Sequence, residues 1–166
     1  MVRGIRPHVE GRQILAVQAC DCPCRPMLIE PDLKTIQTRV KGATVEHVRR
    51  RAKRVVMDLS TGDAFVIEPR MTGLMLLDEP PSVEHLRVEW TLSGSGEFDR
   101  LWYWDRRGLG TLRLLNAVQQ EAVLGLSNLG PDALEMTIQD WVAICRATPT
   151  PIKVLLLNQK KVAGIG

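Results

Sequence analysis

From Thr44 to Leu115 the chain is a succession of short alternating segments divided by turn residues, and this block constrains the fold more than any other feature. Segment 44–50 sets Val45 and His47 against Glu46 and Val48, segment 54–59 follows, and after the Thr61-Gly62 turn the pattern returns at 64–68. Segments 73–77, 85–92, 98–104 and 111–115 continue the series. A period of two places alternate side chains on opposite faces, so each segment has one face to bury. Strands this short and closely spaced predict an antiparallel sandwich or barrel.

The flanks read differently. Segment 2–9 is a short helical start that stops near Gly11, segment 13–19 (Ile14, Ala16, Val17) is a strand, and Pro23, Pro26 and Pro31 break the chain before a helical piece at 32–40. From Ala117 the period becomes helical, over 118–126 and 138–147, with Gly130-Pro131 between them. Thr137 is placed as N-cap, with Asp140 three residues on at the acid position of a capping box. A third helix, 151–158, takes Pro151 in its first turn, where a missing N–H costs nothing. The expected class is α+β: an antiparallel β-sandwich of about eight strands with an N-terminal helix in domain 1–116, then a helical module in 117–166.

The 166 residues suffice for one domain and part of another. The net charge of +3 hides an asymmetry. Up to Leu59 there are twelve Lys and Arg against six Asp and Glu, whereas from Ser60 to Asn116 the balance is six against nine. The basic third includes Arg49, Arg50, Arg51, Lys53 and Arg54, a footprint that suits either a polyanion-binding face or a solvated strand. No window has the length and apolarity of a membrane span, and the charged first residues carry no apolar leader core. A soluble, cytoplasmic protein is expected. Cys20, Cys22 and Cys24 lack the paired spacing of a structural zinc site, Cys145 is isolated, and the cysteines are read as reduced, partly buried thiols, with adventitious soft-metal binding as the alternative.

One stretch is far more specific: Thr150-Pro-Ile-Lys-Val-Leu-Leu-Leu-Asn-Gln-Lys-Lys-Val-Ala-Gly-Ile-Gly166. It resembles the formamidopyrimidine-DNA glycosylase family, which includes the endonuclease VIII enzymes. Members carry an Ile-Lys-x-Leu-Leu-Leu-(Asp/Asn)-Gln helix and a Val-Ala-Gly-(Val/Ile)-Gly turn leading into Asn-Ile-Tyr. Four more segments resemble the family in order: Arg3-Gly-Ile-Arg-Pro-His-Val-Glu-Gly-Arg12, Arg49-Arg-Arg-Ala-Lys-Arg54, Met71-Thr-Gly73 and Asp105-Arg-Arg-Gly-Leu-Gly110. The resemblance implies a two-layer sandwich joined to a helix–two-turn–helix module, here a partial one.

The resemblance also implies base-excision repair by a DNA glycosylase and abasic-site lyase acting on oxidised bases. The partner is double-stranded DNA with a damaged or abasic site; no protein partner or membrane is indicated, and the place is a bacterial cytoplasm, on the nucleoid. In the family an N-terminal proline amine attacks the sugar and a glutamate beside it handles protons. Met1 matches an internal position, so no catalytic residue is assigned. The chain is expected to be truncated at both ends and inactive, with a non-catalytic DNA-binding module as the alternative. The residues implied for DNA binding are Lys53 on a phosphate, Met71 in the void of the extruded base, Arg107 on the orphaned base, and Leu109 where an aromatic wedge is usual. Lys153 is implied near the lesion strand. Glu68 stands where the family has a phosphate-contacting histidine, and Arg70 could restore the charge. The family's zinc finger is expected beyond Gly166, leaving this chain without metal or cofactor. Without the rest of its module, helix 151–158 is expected to expose Val154, Leu155 and Leu157.

Overall fold

The computed structural model describes residues 1–94, 96–125 and 127–166. They form two compact units: Met1–Arg50 with Arg54–Asn116, and Arg51–Lys53 with Ala117–Gly166. The second includes three residues from the tip of a sandwich hairpin, which a division by sequence position assigns to the first.

The first unit is a two-layer sandwich. One sheet has the order β1 (Ile14–Ala19), β7 (Leu86–Leu92), β8 (Arg100–Asp105), β6 (Gly73–Leu76); the other runs β2 (Leu28–Glu30), β9 (Thr111–Leu115), β5 (Ala64–Glu68), β4 (Arg54–Leu59), β3 (Val45–Arg51). Inward side chains of both layers meet in one core, where Phe65 and Trp90 pack edge to face at 5.5 Å. Two short helices, α1 (Val2–Val9) and α2 (Leu33–Val40), each bury two apolar residues one turn apart, Ile5 with Val9 and Ile36 with Val40. Asp32 caps α2 by accepting from the Lys34 and Thr35 amides.

Three features depart from the expected pattern. β2 is a ninth described strand, and it pairs parallel to β9. Three residues between Pro26 and Pro31 carry no periodicity to read. Their place comes from Leu28 to Glu30 matching Thr111 to Arg113, with Arg113 Nε 2.8 Å from Glu30 Oε2. Second, β3 buries Val45 and Val48 and exposes His47, so the simple alternation fails there. The cause lies on the free edge of β3, where Arg6 of α1 and its C-cap residue Glu10 supply side chains in place of a strand. Glu10 Oε1 accepts from the Val48 amide at 2.6 Å, and Arg6 Nε donates to the Val48 carbonyl at 2.8 Å. Edge groups that would invite another chain are covered in this way. Third, His85 belongs to a single 3-10 turn, Val83–His85, ahead of β7, and β8 starts at Arg100.

The second unit holds α3 (Ala117–Leu124), α4 (Ile138–Arg146) and α5 (Ile152–Leu157). Leu126, expected at the end of the first of these helices, lies outside the described residues. Thr137 and Asp140 close the capping box of α4 reciprocally. Pro151 is the N-cap of α5, one position before the first helical turn. Leu155 is buried rather than exposed, whereas Val154 and Leu157, three residues apart, share the outer face. No helix among the described residues is long and apolar enough to cross a membrane.

Candidate nucleic-acid interface

Two connections of the sandwich cross between its sheets side by side. The 69–72 connection leaves β5 and enters β6; the 106–110 connection leaves β8 and enters β9. Register puts Glu68 opposite Thr111 where both touch one sheet and Gly73 opposite Asp105 where both touch the other. Met71 and Arg107 are thereby neighbours although 36 residues separate them, and Arg107 Nη1 lies 3.1 Å from Met71 Sδ. Met71 is 76% exposed, and Leu109, further along its own connection, is 37% exposed. An apolar side chain that solvated, placed on a turn, is not core material.

Asp105 holds both connections. Its fully buried carboxylate accepts from Thr72 Oγ1 at 2.5 Å and from the Arg107 amide at 3.2 Å through one oxygen, and from the Gly110 amide at 2.8 Å through the other. The Thr72 hydroxyl lies 3.2 Å from the same Arg107 amide. Arg87, itself buried, donates Nε to the Asp105 carbonyl at 2.8 Å and Nη1 to the Arg25 carbonyl at 2.7 Å. Gly108, in the left-handed region at φ 61°, passes so close that a Cβ would stand 2.8 Å from that same Arg25 oxygen.

Tyr103 forms the floor. A Cβ on Gly73 or on Gly110 would run into its Oη, so both glycines are required by close approach. Burial, and then the neighbouring Asp105 carboxylate, push the phenol well above its ordinary range, so it stays protonated. Arg70 has the left-handed φ of 54°, unusual for a side chain with a Cβ. Its Nε lies 3.1 Å from Glu68 Oε1, while Arg54 Nε lies 3.4 Å from Glu68 Oε2. Glu68 thus sits between two guanidinium groups, which neutralise its charge locally.

In the second unit the hairpin tip is seated by Ala52, which takes the left-handed φ of 55° and is buried with Leu129 and Ala163. Arg51 Nε donates to the Leu124 carbonyl at 3.1 Å, a cation at the C-terminal end of α3. Lys53 is exposed, and its amine stands so near Gly166 that a Cβ there would collide with it. Gln159 clamps the Val-Ala-Gly-Ile-Gly turn, its amide nitrogen donating to the Ile165 carbonyl at 2.9 Å and its oxygen accepting from the Gly164 amide at 3.0 Å. Lys153 is exposed in the first turn of α5, where a cation opposes the helix dipole and does nothing for helix stability.

The structure therefore brings Met71 and Arg107 together, sets Leu109 on the same turn as Arg107, and pairs Arg70 with Glu68. Lys53 and Lys153 belong to the other unit. Sequence reading passes over Asp105, Thr72 and Arg87, the residues that position the others. For Asp105 the available signal is an acid directly before Arg106-Arg107-Gly108; Arg87 has none, since its partners are carbonyls distant in sequence. Among the described residues no group of three or more His, Cys, Asp or Glu side chains is arranged to hold a metal ion.

A sandwich with two braced turns exposing a methionine and an arginine is followed by a helical unit with exposed lysines at its turns. The chain belongs to the formamidopyrimidine-DNA glycosylase family: residues 1–112 match its N-terminal domain. Curated relatives named formamidopyrimidine-DNA glycosylase include that of Jannaschia sp. (strain CCS1), 30% identical over 99% of this chain and 60% of the relative. That of Hahella chejuensis is 33% identical over 99% of this chain and 59% of the relative. The chain thus spans about three fifths of the length of these proteins. Two crystal structures of the Lactococcus lactis enzyme share the fold. One is a complex with FAPY-dG containing DNA (TM-score 0.77, 22% identity, 99% of this chain, 60% of that one). The other is bound non-covalently to DNA containing an abasic site (TM-score 0.77, 22% identity, 99% of this chain, 62% of that one).

Proposed function

We propose that this chain is the DNA-holding portion of a base-excision glycosylase and abasic-site lyase for oxidised bases, engaging duplex DNA at a damaged or abasic nucleotide on a bacterial nucleoid. The observation that carries this reading is Met71, exposed on a turn that Asp105 braces and carried beside Arg107. An unbranched apolar side chain can fill the space left by an extruded base. A guanidinium with fixed donors can bond the edge of the base left unpaired. Leu109, on the same turn, serves as an aliphatic wedge. Lys53 and Lys153, exposed point charges, hold phosphates without reading sequence. Arg70 is a weaker phosphate contact, because Glu68 already engages its guanidinium.

For the 166-residue chain, binding to duplex DNA at a damaged or abasic nucleotide is the activity proposed. No metal or cofactor is assigned to it. The deciding measurement is fluorescence anisotropy with duplexes carrying a tetrahydrofuran abasic analogue or an intact base pair, over a salt series. Tighter binding to the abasic duplex, weakening as salt rises, is expected. Equal affinity for both duplexes, or no binding at low salt, would reject the proposal.

A further inference from the structure

The segment between β1 and β2 has no part in the DNA reading, yet it concentrates three of the four cysteines. Cys22 and Cys24 lie two residues apart in an irregular stretch, and both turn the same way. Cys22 Sγ donates to the Glu84 carbonyl at 2.8 Å, and Cys24 Sγ donates to the same oxygen at 2.9 Å. Two thiols on one acceptor are held side by side, and both cysteines are partly accessible. A base is also within reach: Cys24 Sγ is 3.2 Å from His85 Nδ1, on a ring packed edge to face against Trp104 at 5.5 Å.

We propose that Cys22 and Cys24 form a dithiol that closes reversibly to an intramolecular disulfide by exchange with a low-molecular-weight disulfide such as oxidised glutathione. In the first step one protein thiolate attacks a glutathione sulfur, forming a mixed disulfide and releasing one glutathione thiolate. In the second step the neighbouring protein thiolate attacks the protein sulfur of that mixed disulfide, and the other glutathione thiolate leaves. Two protein thiols are oxidised, one glutathione disulfide is reduced, and the two protons pass to the departing thiolates. The side-by-side seating favours the second step, because the resolving sulfur is already adjacent.

Cys20 is the local competitor and is less suited to the role. Its thiol is not one of the two on the Glu84 carbonyl, and burial, then the Glu89 carboxylate, push it up to about 11. The Cys24 thiol is also raised, chiefly by the neighbouring Cys22 thiol, which slows the first attack. Closure removes both S–H donors from the Glu84 carbonyl, so the 3-10 turn at Val83–His85 loses its hold on the segment.

The test uses the folded 166-residue chain incubated with oxidised glutathione, alkylated, digested without reduction and sequenced by mass spectrometry. The Cys22–Cys24 peptide is expected about 2 Da lighter than its reduced form and free of glutathione, and it should revert on adding reduced glutathione. Exposed Cys145 should instead carry a stable glutathione adduct. Cys20→Ser should leave the closure intact, and Cys22→Ser should convert Cys24 to a mixed disulfide. A bond from Cys20 to either neighbour, or glutathione retained on both Cys22 and Cys24, would overturn the proposal. Because no DNA is present, the outcome is separate from that of the binding experiment.

Discussion

Replacing Asp105 should test the bracing of the two DNA-facing turns most directly. In Asp105→Ala the buried Gly110 amide loses its acceptor, at a cost of about 1–3 kcal/mol for an unsatisfied buried donor. The Thr72 hydroxyl and the Arg107 amide lie nearer solvent and can turn to water, adding about 0.5–1 kcal/mol each. Removing a buried carboxylate also relieves its own desolvation, which offsets part of the loss. The expected net destabilisation is about 3 kcal/mol. Asp105→Asn keeps the shape and one acceptor. With its oxygen toward Gly110, its NH2 can donate to Thr72 Oγ1 but meets the Arg107 N–H donor to donor, so about 1–2 kcal/mol is expected. Urea unfolding followed by tryptophan fluorescence is suitable, because Trp90, Trp102 and Trp104 all lie in the sandwich. Unchanged midpoints in both variants would refute the bracing role. An Asn variant as unstable as the Ala variant would show that graded acceptor loss is the wrong account.

Gly73→Ala should destabilise the sandwich by about 1–3 kcal/mol in the same assay, because the new methyl meets Tyr103 Oη and the Pro69 backbone, which cannot both retreat. Met71→Ala should leave the unfolding midpoint unchanged while weakening binding to the abasic duplex more than to the intact one, as read by anisotropy. Lys53→Gln should weaken binding to both duplexes alike and reduce the slope of log affinity against log salt by about one. The Thr137 side chain, then its backbone amide, hydrogen-bond Asp140 and hold its carboxyl below the ordinary value. The resulting stabilisation of α4 is present above an unfolded pKa of about 3.9 and is lost as pH falls through the folded value. Hydrogen-exchange protection across α4, corrected for the intrinsic rate at each pH, should therefore fall in acid, and Asp140→Asn should remove that dependence.

Alternation between Thr44 and Leu115, the capping box at Thr137 and the proline ahead of α5 are local signals, each legible because its cause lies within a few residues. They are enough to specify short strands followed by short helices, and seven of the nine described strands come from them. What they cannot convey is pairing between distant segments. β2 exists because β9 lies beside it, and Val48 turns inward where Arg6 and Glu10 serve as the missing neighbour of β3. The same holds for the candidate interface. Met71 and Arg107 can be named from motifs, but their adjacency depends on β6 pairing with β8 and β5 with β9, which carries two connections across the sandwich together. Asp105 and Arg87 reveal their role only when a carboxylate and a guanidinium are buried among backbone groups from two separate stretches of chain, at Arg25 and at 105–110. Side-chain chemistry is local and readable along the chain, whereas the burial that makes a hydrogen bond decisive is a property of the packed structure.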